Sequence, residues 1–227
     1  MDLGLNGKVA IVGGSSRGLG KATAVALAAE GASLVICARN ERILADAHAE
    51  ISKVGSGKVH SVVMDMSERE DVARLVKETI DTFGKVDILV NNAGGPPSGG
   101  PLSISEGQWQ TAINQNLLSI VRLSRSVVPH MKEAGWGRIV NILSTSVKQP
   151  VDGLLLSNSV RMAVVGFSKT LADEVAPYSI TVNNIEIIPG VRVASSKVLA
   201  EEFLHGNNGP IPIRASKVSK SGPLIWL

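Results

Sequence analysis

The residues that most clearly suggest chemistry form a glycine-rich turn near the start of the chain, in the segment KVAIVGGSSRGLG. An apolar run of strand type, Val9–Val12, leads into the turn, and a helical pattern from about residue 17 to residue 30 follows it. Three glycines punctuate the turn: Gly14, Gly18 and Gly20. Glycines allow a tight turn and a close approach of backbone to phosphate, and the first N–H groups of a helix attract anions. The pattern predicts a dinucleotide phosphate site, with a glycine turn before a surface helix as the alternative.

A second motif, Asn91-Asn92-Ala93-Gly94, directly follows an apolar strand pattern at residues 86–90. Together with the spacing Gly-x-x-x-Gly-x-Gly of the first turn, it makes the chain resemble the short-chain dehydrogenase/reductase family, and in particular its β-ketoacyl-acyl-carrier-protein reductase-like members. The resemblance extends from Leu5 to about Gly190. One departure lies in the turn itself, where Gly13 stands in place of the family's usual threonine.

The resemblance implies a cofactor-binding set that runs along the predicted sheet edge. Its members are Gly14, Ser16, Arg17, Gly18, Leu19, Gly20, Arg39, Asp65, Met66, Asn92, Ala93, Gly94, Arg161, Pro189 and Gly190. In the family, an acid at the position of Asp65 contacts the adenine amino group. Asp65 also stands where it could cap a helix that starts near Ser67, and the sequence leaves both roles open.

The end of the second predicted strand, at residues 33–38, indicates which cofactor is bound. NAD-specific relatives place an acid after this strand to bind a ribose hydroxyl, whereas this chain has Ala38 followed by Arg39. Arg17 lies in the phosphate turn. Two guanidinium groups suit a ribose 2′-phosphate, so we predict NADP(H) as the cofactor. The alternative is that both arginines are simply solvated.

Four residues occupy the family's catalytic positions. Asn116 matches an asparagine that steadies a proton relay, and Ser144 matches a serine that polarises the substrate carbonyl. The family's tyrosine, which donates the proton, and its lysine, which makes that tyrosine more acidic and holds the nicotinamide ribose, should fall at positions 157 and 161. These positions hold Ser157 and Arg161.

The replacement of the tyrosine removes the family's general acid. A positioned general acid contributes about 10²- to 10⁴-fold in rate, and an aliphatic alcohol is a far weaker acid than a phenol. The single tyrosine, Tyr178, lies just before the last predicted strand. Arg161 keeps a positive charge, and Ser144 could still contact a developing oxyanion or could merely cap its own loop. Whether the chain is an active enzyme therefore stays open at this stage.

Alternating strand and helix patterns position these residues. The predicted strands are 9–12, 33–38, 59–64, 86–90, 138–143 and 180–188, and the helices between them are 17–30, 41–54, one from about 67, one from Ser105 to about 127, and 158–176. This order predicts an α/β, doubly wound parallel sheet of the Rossmann type, with about six strands and helices on both faces. The breaker cluster at 94–101 predicts a loop that is placed to contact substrate.

Composition narrows the remaining classes. With 227 residues, of which 44% are hydrophobic, the chain fits one sizeable domain. The lone cysteine, Cys37, excludes an internal disulfide, and neither a signal peptide nor a membrane span is evident, so a cytoplasmic setting is predicted. The net charge of +3 lies in the tail, because without Arg214, Lys217 and Lys220 the acidic and basic residues are equal in number. We therefore predict no nucleic-acid partner, no membrane partner and no metal.

The C-terminal part departs from the family after the turn at Pro189 and Gly190. Ala194 replaces a usual threonine, residues 197–204 form one short helical pattern, and residues 206–227 show no periodicity. We predict a dinucleotide-binding domain at 1–205, without a seventh strand, and an atypical basic tail at 206–227. The resemblance implies a homodimer through the long helices; it gives little support for a tetramer, whose family interface uses the altered end.

Three functions are consistent with these residues. The first is an NADP(H)-dependent oxidoreductase that transfers hydride to or from a carbonyl or alcohol, such as a 3-oxoacyl thioester. The second is a nucleotide-binding relative without turnover that acts as a sensor or partner subunit, which the replacements at Ser157 and Arg161 favour. The third is a scaffold that binds no nucleotide.

Overall fold

The computed structural model describes residues 3–187, which form one parallel six-stranded sheet covered by helices on both faces. The strands are β1 Val9–Val12, β2 Ser33–Ala38, β3 Val59–Val63, β4 Ile88–Asn91, β5 Gly137–Ser144 and β6 Ile180–Ile187. The helices are α1 Gly18–Ala29, α2 Glu41–Ile51, α3 Arg69–Phe83, α4 Glu106–Ile113, α5 Ser119–Ala134 and α6 Leu155–Val175. The predicted fold class is confirmed, and β2 has the predicted bounds.

The strand order, β3-β2-β1-β4-β5-β6, creates a crevice at the carboxyl edge of the sheet. The chain winds outward from β1 to β3 and then returns to pair β4 with the other side of β1. The loops after β1 and β4 therefore leave the sheet in opposite directions, and open α/β sheets bind ligands at such a switch point. Both predicted glycine-containing motifs follow these two strands.

The sheet is buried on both faces, and an apolar layer packs against each face. On one face Ala10, Val12 and Leu34 pack with residues of α1 and α2. On the other, Ile11 and Val35 pack with residues of α3, α5 and α6. Neighbouring residues of one strand thus serve opposite layers, and both layers must be intact for the carboxyl edge to keep its shape.

The helix predicted from Ser105 is longer and less regular than its pattern indicated. Ser105 caps α4 through a capping box with Gln108, as the sequence predicts for a helix start. The helix then passes through a π-helical turn, Asn114–Leu118, and continues as α5. Asn116 lies inside this turn, and single π turns within α-helices are frequent at functional sites.

Several expectations fall on residues 188–227, which are not described. These include Pro189, Gly190, Ala194, the short helical pattern, the tail and the absence of a seventh strand. Within residues 3–187, no helix is long and apolar enough to cross a membrane. No cluster of three metal-binding side chains occurs in the same part of the chain. Complete burial raises the pKa of the Cys37 thiol to about 12, so the native thiol stays protonated at neutral pH.

Candidate active site

The glycine turn is held in a backbone shape that other residues would not adopt. Gly14 and Gly18 have φ of 55° and 58°, in the left-handed region. A Cβ at Gly14 would lie 2.6 Å from the carbonyl oxygen of Asn92, and one at Gly20 would lie 2.4 Å from the carbonyl oxygen of Gly14. The three predicted glycines therefore serve backbone conformation or close packing, which agrees with the phosphate-turn prediction.

Ser15 locks this turn, although the sequence analysis did not single it out. Its hydroxyl donates to the carbonyl oxygen of Val12 at 2.9 Å and accepts from the N–H of Cys37 at 2.9 Å. The side chain is fully buried between β1 and β2. A serine after two glycines carries no distinctive spacing, so only the three-dimensional contact reveals this role.

The start of α1 is left open for an anion. Arg17 precedes the helix and makes no side-chain capping bond, and no acidic residue occupies the first turn. By contrast, α4 has both a capping box and Glu106. No side chain of the first turn therefore compensates the positive end of the α1 dipole, and its first N–H groups suit a cofactor phosphate.

The Asn-Asn-Ala-Gly motif ties the second glycine-containing loop to the first. The Asn92 side-chain amide donates to the carbonyl oxygens of Gly13 and Gly14 at 3.1 and 3.3 Å. Asn91 points into the sheet, where its amide donates to Asn141 at 2.8 Å, and Asn141 in turn donates to Asn184 at 2.9 Å. This chain of three asparagines links β4, β5 and β6 beneath the cleft.

The opposite end of the predicted cofactor site contains both Arg39 and an acid. A guanidinium nitrogen of Arg39 lies 3.7 Å from a carboxylate oxygen of Asp65, and the arginine side chain is 70% exposed. The other Asp65 oxygen accepts from the N–H and hydroxyl of Ser67 at 2.9 and 2.7 Å. Because α3 begins only at Arg69, the interpretation of Asp65 as a helix cap is wrong; it forms a turn before the helix.

Met66 packs against Gly13, where the chain departs from the family's usual threonine. A Cβ on Gly13 would lie 2.9 Å from the sulfur and the methyl carbon of Met66. A larger residue at position 13 would therefore require the end of the Met66 side chain to move.

At the catalytic end, Asn116 is buried and only half satisfied. Its amide donates to the carbonyl oxygen of Gly94, while its side-chain oxygen is buried without a partner in residues 3–187. Buried polar atoms without partners are rare and frequently mark a place where a water or ligand binds. The predicted relay position thus retains a free acceptor.

Ser144 ends β5, and its hydroxyl oxygen accepts from the N–H of Ser146 at 3.2 Å. Ser144 therefore does cap its own loop, as the alternative prediction stated, and it uses its hydroxyl oxygen to do so. The hydroxyl hydrogen donates to no group within the described residues, so the same serine can still donate to a carbonyl oxygen in the cleft.

Ser157 and Arg161, at the positions predicted for the family's tyrosine and lysine, lie on the first two turns of α6, and both are buried. Ser157 is 6% exposed, and its hydroxyl lies 3.0 Å from the hydroxyl of Ser146, a residue that sequence reasoning missed. Arg161 is 8% exposed and donates from Nη1 to the carbonyl oxygen of Ile142 at 3.1 Å. Burial lowers the pKa of Arg161 from its usual value, although an arginine remains charged at neutral pH.

Some of these groups line an open cleft of about 340 Å³ at the switch point. Its walls are Leu19, residues 92–95, residues 142–144, Arg161 and Ile187. Of the described residues on these walls, Arg161 alone has a charged side chain. Ser157 does not line the cleft, and Arg39 and Asp65 lie outside it as well. The structure thus brings together the glycine-turn end, the asparagine motif, Ser144 and Arg161.

Comparison with known proteins agrees with this geometry. The chain belongs to the short chain dehydrogenase family, whose sequence profile matches residues 8–200. It is 35% identical over 181 residues to a 3-oxoacyl-[acyl-carrier-protein] reductase of Synechocystis sp., covering 80% of this chain and 73% of the relative.

Solved structures of the same class superpose on the described sheet. L-sorbose reductase from Gluconobacter frateurii, complexed with NADPH and L-sorbose, has a TM-score of 0.80 at 36% identity, covering 82% of this chain and 71% of the other. NAD⁺-bound xylitol dehydrogenase has a TM-score of 0.78 at 28% identity, with coverages of 81% and 71%. The family consists of oxidoreductases that use a nicotinamide cofactor. Of these two solved relatives, one is complexed with the phosphorylated cofactor NADPH and the other with NAD⁺.

Proposed function

We propose that this protein is an NADP(H)-dependent oxidoreductase that transfers hydride to or from a carbonyl or alcohol substrate, such as a 3-oxoacyl thioester. The observation that carries the proposal is the cleft itself, in which Ser144 and Arg161 face the asparagine motif at the switch point. A relative of this chain acts on 3-oxoacyl groups, and a structural neighbour binds NADPH, which supports the substrate class and the cofactor.

The described residues fit such a cofactor. The uncapped start of α1 would hold the pyrophosphate, and the glycine turn would let the backbone approach it. Arg17 and Arg39 would bind the ribose 2′-phosphate, with Asp65 holding the Arg39 side chain near the strand ends. When bound, the nicotinamide supplies or accepts the hydride.

The side chains at the other end of the cleft act on the substrate oxygen. As a carbonyl is reduced, its C=O double bond becomes a single bond and the oxygen gains negative charge and then a proton. The Ser144 hydroxyl donates a hydrogen bond to this oxygen, and the charge of Arg161 favours its developing anion. Solvent supplies the proton through the open cleft, because Ser144 is too weak an acid to ionise. The rate is expected to be about 10²- to 10⁴-fold below that of a tyrosine-containing relative.

Calorimetric titration with NADPH and NADH, followed by an assay of NADPH absorbance in the same sample, tests the proposal. We expect tighter binding of NADPH than of NADH and measurable oxidation with ketoacyl thioesters, ketones or quinones. Absence of oxidation above background with every carbonyl compound would contradict the proposed activity. Binding without oxidation would then favour a nucleotide-binding relative without turnover.

We also propose a cytoplasmic homodimer. A groove of about 470 Å³ lies between α5 and α6, and its lining includes Val128, Phe167 and Leu171 beside charged side chains. Val128 and Leu171 are already buried, so pairing with a second copy would chiefly cover the half-buried Phe167. Light scattering on purified protein should give twice the chain mass, and a monomer at micromolar concentration would contradict the dimer.

A further inference from the structure

Two charged side chains are buried in residues 3–187, and they differ completely in how their charge is balanced. Asp87 is 5% exposed, and its carboxylate faces two ammonium groups, of Lys85 at 2.9 Å and Lys8 at 3.8 Å. It also accepts from the backbone N–H of Val9 at 2.8 Å. This is the usual arrangement for a buried ion, since an uncompensated charge in the interior is costly.

Arg161 has no such compensation. No carboxylate among residues 3–187 forms an ion pair with it, its one hydrogen bond goes to the neutral carbonyl of Ile142, and its Nε–H is buried without a partner. A guanidinium has five N–H donors, so most of its bonding capacity is unused. By comparison Arg74, on the surface, bonds two carboxylates and a carbonyl.

Arg161 lines the cleft. Ser144 lines it as well, and no acidic side chain of residues 3–187 does. The predicted cofactor does not provide the missing charge here, because its phosphates belong at the start of α1 and at Arg17 and Arg39. A nicotinamide ring is neutral or cationic, and ribose hydroxyls are neutral. Neither residues 3–187 nor the cofactor groups expected at this end supply a counter-charge, which leaves the substrate as its source.

We propose that Arg161 binds a carboxylate of the substrate beside Ser144, so that the compound reduced is a carbonyl compound with a free carboxylate near its carbonyl carbon. The planar guanidinium fork pairs with a carboxylate through two parallel hydrogen bonds. A lysine at this position would offer a compact ammonium without the fork. The replacement at position 161 thus selects an acid in place of a neutral carbonyl compound. This inference deepens the proposed function and rests on it.

The test compares two probes of nearly equal shape, acetoacetate and methyl acetoacetate. Their binding is measured by calorimetry to the protein alone and to the protein saturated with NADP⁺, which has no hydride to give. We expect acetoacetate to bind at least about tenfold more tightly than the ester, because charge-assisted hydrogen bonds form only with the acid. Equal affinities would overturn the proposal, whatever else Arg161 contacts.

Variants then assign the preference to the side chain. In Arg161→Gln the acid and the ester should bind within about twofold of each other, whereas Arg161→Lys should keep part of the preference. Arg138→Gln is the matched control, since Arg138 is partly buried at the other end of β5 and should leave the preference intact. If Arg161→Gln weakens NADPH binding but keeps the acid preference, the arginine serves the cofactor alone and the proposal is wrong.

The two proposals can fail separately. A preference for acetoacetate in the cofactor-free protein, without NADPH binding or oxidation, would retain the carboxylate site and reject the oxidoreductase. If NADPH is oxidised as fast with the ester as with the acid, the oxidoreductase is retained and the carboxylate site is rejected.

Discussion

The two ends of the cleft differ in how their polar side chains are satisfied. At the glycine turn, Ser15 and Asn92 use their side-chain groups to bond the backbone of neighbouring strands and loops. At the other end, Asn116 keeps a free acceptor, Arg161 keeps free donors, and the Ser144 hydroxyl hydrogen has no acceptor in the described residues. The side chains of the first end are satisfied by the protein itself, and only the start of α1 is left open. The second end leaves side-chain groups without partners in residues 3–187, and a bound molecule can satisfy them.

We infer from this difference that binding and chemistry can be separated in this fold. In residues 3–187 no side-chain hydrogen bond joins Ser144 or Arg161 to the glycine turn. Variants at either end should therefore affect different measured quantities, and the following predictions test that separation in order of expected size.

The largest effect should come from the glycine turn. Gly14→Ala places a Cβ 2.6 Å from the carbonyl oxygen of Asn92 in a left-handed backbone conformation, so the turn has to shift. We expect NADPH affinity to fall by more than about 100-fold, measured by calorimetry. Gly166→Ala is the control: it lies inside α6 with open space around it, and it should leave binding unchanged and raise stability slightly. Unchanged binding in Gly14→Ala would mean that the turn is not the phosphate site.

The next effect should come from the catalytic end and should leave binding alone. Ser144→Ala removes the hydrogen-bond donor to the substrate oxygen, and we expect kcat to fall by about 10²-fold with NADPH affinity unchanged. Ser159→Ala, on the exposed side of α6, is the matched control. If Ser144→Ala weakens NADPH binding and spares kcat, the two ends are not separable as described.

These two sites also show what the sequence could predict. Gly14 was found because a tight turn demands glycine at a fixed spacing, and the asparagine motif was found by its resemblance to the family's motif. The alternating strand and helix patterns predicted the six strands of the described sheet. Ser15, Ser146 and the contact of Met66 with Gly13 were missed because each depends on residues brought together only by folding. The sequence located Arg161, but the absence of a nearby carboxylate in residues 3–187 is visible only in three dimensions.

A smaller effect on stability should follow from Ser15→Ala. The substitution leaves the buried N–H of Cys37 without its side-chain acceptor, which costs about 1–3 kcal/mol of the free energy of unfolding. Urea unfolding measures this change, with Ser16→Ala as the control because Ser16 is half-buried and has no such bond. An unchanged midpoint would show that the turn does not depend on this hydroxyl.

The smallest effect should concern cofactor choice. Arg39→Gln removes a guanidinium from the predicted 2′-phosphate site and should weaken NADPH binding by about tenfold, while NADH binding changes little. Salt should reduce the wild-type preference for NADPH, because the arginine is largely exposed. If Arg39→Gln weakens NADPH and NADH binding equally, Arg39 contacts a part of the molecule that both cofactors have, and not the 2′-phosphate.

The buried thiol beneath the glycine turn has a consequence for oxidative damage. Oxidation of cysteine starts from the thiolate, and a pKa of about 12 keeps Cys37 protonated and enclosed. The sulfur most open to peroxide in residues 3–187 is instead that of Met162, which is 46% exposed and directly follows Arg161 on α6. Conversion of that thioether to a sulfoxide would put a new polar group on the exposed surface of α6. Oxidants would thus reach this helix surface before the enclosed thiol.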